Sequence, residues 1–182
     1  MTARDPVNAL GHANLGLTYF FAGRLDAALA SSQTALSLSP GYGGAQYGIG
    51  EALLLKGDPA GALAAMQKEA NEVWRQIGLS MAWHALGDTP KSDAALTELI
   101  QKYEKEAAYN IAYVLAFRGE ADRAFEWLDK AVSYRDPGVA EIAVQPWFAN
   151  LHQDPRWLPL LRKLGKSSEQ LAAIKFDVKL PQ

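Results

Sequence analysis

The sequence predicts an all-α fold, an α-α solenoid of about four helix-turn-helix repeats followed by capping helices at the carboxy terminus. Three observations lead to this prediction. A pattern of small and large apolar residues recurs about every 34 residues, each copy has a glycine at one fixed place, and the pattern stops after Tyr134. Because one helix pair cannot bury its apolar face alone, a repeated pattern of this length indicates stacked helix pairs.

The first two copies of the pattern are 34 residues apart. The first copy consists of Leu15, Gly16, Tyr19, Gly23, Ala28, Ala35 and Pro40. The second consists of Ile49, Gly50, Leu53, Gly57, Ala62 and Met66. The third and fourth copies are recognised by Gly87 and Gly119, and they follow at shorter spacings of 30 and 32 residues. The repeats are predicted at about 9–42, 43–72, 73–104 and 105–136.

Each position that recurs in the pattern has a physical role within the helix pair. Small residues let two helix backbones approach closely, and they are Gly16, Gly50, Ser80, Ala112, Ala28, Ala62, Ser92 and Ala124. The fixed glycine ends the first helix of each pair, and Asp58-Pro59 and Thr89-Pro90 can begin the second. The predicted helix pairs are 8–22 with 25–38, 42–56 with 59–69, 72–86 with 90–102, and 105–118 with 121–134.

The carboxy-terminal segment is predicted to cap the array. Arg135-Asp136-Pro137-Gly138 is typical of a turn, so the chain is divided into repeats at 1–134 and a non-repeat segment at 135–182. Two short helices are expected there. One begins at Asp154-Pro155 and ends at Gly165, with an apolar face of Trp157, Leu158, Leu161 and Leu164. The other runs from Ser168, its cap, to Lys175, with Leu171 and Ile174 packed inward and Phe176 to Gln182 extended beyond it.

No comparable cover precedes the first repeat, which begins almost directly after Asp5-Pro6. The exposed end of a solenoid ordinarily needs a polar cap. We therefore expect these residues to be the carboxy-terminal part of a longer protein.

The repeated pattern resembles the tetratricopeptide repeat (TPR), which implies a right-handed superhelix. From about Trp74 to Gly165 the resemblance is narrower, and it rests on the segments MAWHALGD, SDAALTELIQKY, AYNIAYVLAFRGEADRAFEWLDKAV, RDPGV and DPRWLPLLRKLG. These segments are similar to the carboxy-terminal TPR region of bacterial class III adenylate cyclases and related winged-helix signalling proteins. The resemblance implies a regulatory or scaffolding attachment. None of the chain resembles the cyclase catalytic domain.

Composition and motifs favour binding over catalysis. The net charge is -2 and no run of about 18 apolar residues occurs, so neither nucleic acid nor membrane is expected as a partner. The absence of cysteine fits a reducing compartment, the cytoplasm. His12, His84 and His152 have no metal-ligand spacing, and no catalytic motif is present. We therefore expect no enzyme, no metal and no cofactor.

The first helices of TPR pairs line the concave wall, and here the inward positions are apolar and aromatic. The predicted partner-binding residues are Leu17, Phe20, Phe21, Tyr47, Glu51, Leu54, Trp74, Ile77, Met81, His84, Tyr109, Tyr113 and Phe117. TPR domains that hold a terminal carboxylate use lysines and asparagines on this wall, whereas this chain has Ala13 and Leu17 in the first repeat. A carboxylate clamp is therefore disfavoured.

An apolar wall of this size needs a cover. A protein or peptide segment, the chain's own carboxy-terminal tail and a second copy in a homodimer each fit this need. The function predicted from sequence is a non-catalytic protein-interaction or regulatory module. Two alternatives stay open, a small-ligand sensor near Trp74, Trp83 and His84, and a structural dimerisation spacer.

Overall fold

A computed structural model describes residues 7–175, and within that range every regular element is helical. The α-helices are α1 (Ala9–Phe21), α2 (Leu25–Leu38), α3 (Ala45–Leu55), α4 (Pro59–Met66), α5 (Glu72–Ala85), α6 (Thr89–Tyr103), α7 (Ala108–Phe117), α8 (Ala121–Tyr134), α9 (Trp157–Lys163) and α10 (Ser168–Ala172). Two 3-10 helices, η1 (Pro137–Glu141) and η2 (Pro146–Leu151), lie between α8 and α9. None of the helices between residues 7 and 175 is both long and apolar enough to cross a membrane.

The first eight helices form four antiparallel pairs, which confirms the predicted α-α solenoid. Each odd-numbered helix packs most closely on the helix that follows it, and each pair also contacts the next pair. The odd-numbered helices contact one another in the order α1, α3, α5 and α7. They therefore form one continuous inner wall, and this wall carries the site described below.

The repeat glycines end the first helix of each pair, as predicted. Gly23, Gly57, Gly87 and Gly119 have φ angles between 70° and 80°, in the left-handed region that favours glycine. After α3, the Gly57 N–H donates to the Leu54 carbonyl at 3.0 Å and the following N–H donates to the Leu53 carbonyl at 2.9 Å. These bonds satisfy carbonyls that the end of the helix would leave unpaired.

The small residues of the pattern lie where two helices meet. A Cβ atom at Gly50 would come within 2.7 Å of the Met66 side chain, so α3 approaches α4 more closely than any larger residue allows. In the third pair, the Ser92 hydroxyl donates to the Ser80 carbonyl at 2.7 Å, and the Ser80 hydroxyl donates to the Ser92 carbonyl at 3.3 Å. The hydroxyl and carbonyl groups of these two serines thus satisfy each other where α5 and α6 meet.

Two predicted helix caps were wrong by one residue. The cap of α6 is Asp88 rather than Thr89, because the Asp88 carboxylate accepts the Lys91 N–H at 3.1 Å. The cap of α10 is Ser167 rather than Ser168, and Ser167 forms a capping box with Gln170. The predicted start of α9 at Asp154-Pro155 was also wrong, because that helix begins at Trp157 and its cap, Arg156, makes no side-chain hydrogen bond to the helix. The cap at Asp58 was predicted correctly, and its carboxylate accepts the Gly61 N–H at 2.8 Å.

The two short carboxy-terminal helices bury less than predicted. Trp157 is only 6% exposed, but Leu158, on the same predicted face of α9, is 43% exposed. In and after α10, Leu171 is 37% and Ile174 51% exposed, so the prediction that they pack inward was wrong. The helix ends at Ala172 and is too short to present a continuous apolar stripe. The segment predicted as extended, Phe176 to Gln182, lies outside the described residues.

Candidate binding site on the inner wall

The segment after α8 folds back onto the inner wall and covers its carboxy-terminal part. Asp136 anchors the turn, because its carboxylate accepts the Tyr109 N–H from α7 and the Gly138 N–H from η1, each at 2.9 Å. Phe148, in η2, is fully buried and contacts Tyr109 and Tyr113 edge-on, with ring centroids 5.5 and 6.3 Å apart. Part of the predicted wall is therefore covered by the chain itself.

Trp147 of η2 joins this cover to the centre of the wall. Its ring lies 5.9 Å from the ring of Phe20 in α1 and 5.3 Å from the ring of Phe117 in α7. Its indole N–H donates to Glu51 Oε1 at 2.7 Å, across 96 residues of sequence. One side chain thus links α1, α3 and α7 through both packing and a hydrogen bond.

A buried polar network surrounds Glu51. The Tyr47 hydroxyl donates to Glu51 Oε1 at 2.9 Å, and the Tyr47 and Tyr113 hydroxyls are 2.8 Å apart. The Asn110 amide donates to the Tyr113 hydroxyl at 2.9 Å. Because the Tyr47 hydroxyl donates its proton to Glu51, the Tyr113 hydroxyl is the donor to Tyr47. The hydrogen bonds therefore run in one direction, from α7 to the Glu51 carboxylate.

Burial makes Glu51 an unusually weak acid. Its side chain is 4% exposed, and desolvation raises its pKa from 4.5 to about 7, against the opposing effect of the hydrogen bonds from Trp147 and Tyr47. The negative charge of Glu141 contributes to the rise. Burial also raises the pKa of Glu141 itself. Two acids therefore sit at the inner wall with no cation to balance them among the described residues.

An open cavity of about 490 Å³ lies beside this network. It is bounded by α1, by α3 and the connector before it, by the start of α5, and by α7 and η1. Its volume falls in the range of roughly 300–1,000 Å³ that is usual for ligand pockets. Of the thirteen predicted partner-binding residues, eight line it, namely Leu17, Phe20, Phe21, Tyr47, Glu51, Trp74, Tyr109 and Tyr113.

The other five predicted residues lie elsewhere. Ile77 and Met81 are 0% exposed within the hydrophobic core, so their burial does not fit contact with a partner. Leu54 is partly buried and packs against the same core. His84 and Phe117 contact each other edge-on, 5.7 Å apart, and burial lowers the pKa of His84. Phe117 also packs on the ring of Trp147 in η2, and none of the five residues lines the cavity.

Several cavity residues were missed from the sequence. Among residues 7–175, four carboxylates line the cavity, those of Glu51, Glu106, Asp136 and Glu141, and no lysine or arginine does. Only Glu51 was predicted. Asp136 and Glu141 belong to the turn and η1, whose folding back no repeat pattern encodes. Glu106 lay within the predicted helix 105–118 but was not chosen as an inward position, and in the structure it lies just before α7.

The connector before α3 forms another part of the cavity edge that was missed. The carboxylate of the buried Glu69 holds this connector in place. It accepts the N–H groups of Gly44 at 2.9 Å, Tyr47 at 3.0 Å and Asn71 at 2.8 Å. These hydrogen bonds fix the position of the connector's backbone and also satisfy the buried carboxylate of Glu69.

Two buried polar atoms at the cavity have no hydrogen-bond partner among residues 7–175. They are the Tyr109 hydroxyl and Gln145 Oε1, on side chains 2% and 6% exposed, and both residues line the cavity. A buried polar atom without a partner is destabilising by about 1–3 kcal/mol. Both atoms could be satisfied by a ligand that donates hydrogen bonds.

Comparisons with known proteins agree with this architecture. A family model described as tetratricopeptide repeat matches residues 3–73 and 85–140, which is more than half of the chain. Among solved structures, a crystal structure of MamA is similar, with a TM-score of 0.51 and 23% sequence identity, and the match covers 74% of this chain and 82% of that one. At this identity the likeness concerns the fold. A search of curated proteins finds no match.

Proposed function

Because the chain belongs to the tetratricopeptide repeat family, we propose that it is a non-catalytic protein-interaction module that holds a segment of a partner protein on its inner wall. The observation that carries this proposal is the cavity of about 490 Å³, which residues 135–175 of the carboxy-terminal segment leave open beside α1 and α3. The remainder of the wall, next to α7, is closed by η2. The proposed site is therefore the part of the wall that η2 leaves open, between α1 and α3 on one side and the start of α7 with η1 on the other.

The surface at this site is apolar and reachable. Leu17 lines the cavity and is 42% exposed, and Phe21 lines it while partly buried. Covering a large apolar side chain contributes about 1.5–3 kcal/mol, so a few such contacts supply a moderate affinity. The division into repeats at 1–134 and a cover at 135–182 is part of this proposal, in which the repeats supply the wall and the cover limits what a partner can reach.

A peptide selection tests the proposal at Leu17. Random 12-residue peptides displayed on phage would be selected against the wild-type chain and against Leu17→Gln. The matched control is Leu86→Gln, because Leu86 is 41% exposed but does not line the cavity. We expect one family of related peptides to be enriched on the wild type and the control and to bind Leu17→Gln at least tenfold more weakly. Equal enrichment on all three chains, or none on any, would overturn the proposal.

The wider setting is also proposed. We infer from the segments between Trp74 and Gly165 that the module is the carboxy-terminal part of a larger bacterial signalling protein, such as an adenylate cyclase, and that it works in the cytoplasm. The complete gene checks this directly. A cyclase or winged-helix domain encoded upstream is the expected result, and an in-frame stop codon immediately upstream would contradict it.

A small-ligand sensor is the second candidate, because the cavity volume also fits a small molecule. This candidate differs from the sequence-based alternative in its location. Trp74 lines the cavity, but Trp83 and His84 do not. A thermal-shift screen of metabolites in which a hit loses its effect on Leu17→Gln, together with a failed peptide selection, would favour the sensor.

A further inference from the structure

We propose that the cavity binds a lysine or arginine side chain of the partner segment, with the cationic group at the carboxylates of Glu51 and Glu141 and the aliphatic stem against Leu17 and Phe21. This inference rests on the proposed function, since it names the chemistry by which the same site recognises its partner. It is carried by the charge of the cavity, by its unpaired acceptors and by its aromatic lining.

The charge of the cavity is one-sided. In the part of the chain that the structure describes, four carboxylates line it without a lysine or arginine, although the whole chain has 18 basic residues against 20 acidic ones. Asp136 is already used, because it accepts two backbone N–H groups. At Glu51, Tyr47 and Trp147 both donate to Oε1, and no described residue donates to Oε2. An acceptor is thus left for a donor that comes from outside the chain.

The two unpaired atoms are an independent sign of a missing donor. Gln145 Oε1 can only accept a hydrogen bond, and the Tyr109 hydroxyl can accept one as well. An ammonium group has three donors and a guanidinium five, and neither has an acceptor. An ammonium can therefore donate to three of these four groups, Glu51, Glu141, the Tyr109 hydroxyl and Gln145 Oε1, and a guanidinium has donors for all four. A carboxylate or phosphate ligand would instead meet like charge and further acceptors.

The aromatic lining also suits a cation with an alkyl stem. Tyr47 and Trp74 are stacked with ring centroids 5.0 Å apart, and both line the cavity. Aromatic faces attract ammonium and guanidinium groups through their quadrupoles. The long apolar stems of lysine and arginine pack well on residues such as Leu17 at the entrance while the charged head reaches further in.

The test begins from the peptides selected on the wild-type chain, which should share a lysine or arginine at one position. Norleucine at that position keeps the stem and removes the charge. We expect norleucine to weaken binding about tenfold or more, measured by fluorescence anisotropy at low salt, because hydrogen bonds to charged groups are the stronger ones. Glu51→Gln should weaken the lysine peptide by a similar factor. The control Glu126→Gln removes an equal charge from an exposed position on α8 outside the cavity, and we expect a change of less than twofold.

Each outcome of this test either supports or overturns the binding of a basic side chain. Selected peptides that lack a fixed basic residue, or that bind equally with norleucine, would overturn this inference and leave the proposed function standing. If Glu51→Gln fails to fold, Glu141→Gln, at a partly exposed position, carries the same expectation. If no peptide is selected, n-butylammonium and n-butylguanidinium would be titrated against n-butanol by NMR. Saturable binding of the cations alone would assign the cavity to a free amine and overturn the assignment to a partner segment.

Discussion

Replacement of Glu51 by glutamine is expected to stabilise the chain at pH 8 and to reduce the dependence of its stability on pH. Glutamine has the shape of the protonated acid, and its carbonyl oxygen can accept the same hydrogen bonds from Tyr47 and Trp147. Glutamine cannot ionise, however. Above neutral pH the wild-type chain carries a buried negative charge at Glu51, whereas the variant carries none there.

The magnitude follows from the pKa of Glu51, which burial raises from 4.5 to about 7. The unfolded chain releases this proton near pH 4.5, but the folded chain keeps it until about pH 7. Between these values the unfolded state binds fewer protons, so the free energy of unfolding falls as pH rises and then levels off above pH 7. At about 1.4 kcal/mol per pKa unit, the loss amounts to about 3 kcal/mol.

Other groups that face Glu51 change this expectation little. Tyr47 on α3 and Tyr113 on α7 have pKa values raised well above 10, mainly by burial, so both stay neutral from pH 5 to 8. Glu141 on η1 also has a raised pKa, so it leaves the variant with a weaker pH dependence of the same sign. Removing the charge of Glu51 also removes its repulsion with Glu141.

Urea unfolding followed by circular dichroism at pH 5, 6, 7 and 8 measures the effect. Glu51→Gln should match the wild type within about 1 kcal/mol at pH 5 and exceed it by about 2–3 kcal/mol at pH 8. The control Glu126→Gln should follow the wild type at every pH. A constant difference between Glu51→Gln and the wild type across this range would refute the reasoning, because it would show that Glu51 does not titrate there. The same variant should bind the basic peptide less well, so stability and binding are expected to change in opposite directions.

Two further predictions concern the cover. Gly138→Ala should lower the free energy of unfolding, measured in urea, by about 1–3 kcal/mol, because the new Cβ would come within 2.4 Å of the buried Tyr109 ring. An unchanged urea midpoint would show that the turn can move aside. Trp147→Phe should cost about 1–3 kcal/mol at pH 8, since it removes the indole donor to Glu51. Combined with Glu51→Gln, it should cost less than it does in the wild type, and strictly additive effects would contradict the hydrogen bond's role.

The sequence by itself determined the helical repeats, because their signals are local. Gly57 ends α3 through its own left-handed conformation, and Asp58 begins α4 by accepting an N–H three residues later. Helix bounds such as Leu25–Leu38 and Ala121–Tyr134 were predicted to the residue for this reason. Where neighbouring polar residues compete for a cap, as Asp88 and Thr89 do, the local signal was ambiguous and the prediction failed by one position.

The tertiary structure alone decided which part of the inner wall stays open. The sequence placed Tyr47, Glu51 and Tyr113 on one wall because their helices share a repeat position. It gave no sign that Trp147, 96 residues from Glu51, would donate to it, or that Glu141 and Gln145 would complete an acidic cavity. The folding back of the segment after Tyr134 depends on shape and burial across four helices at once. Such a contact occurs only once in the chain, so it produces no periodic pattern in the sequence.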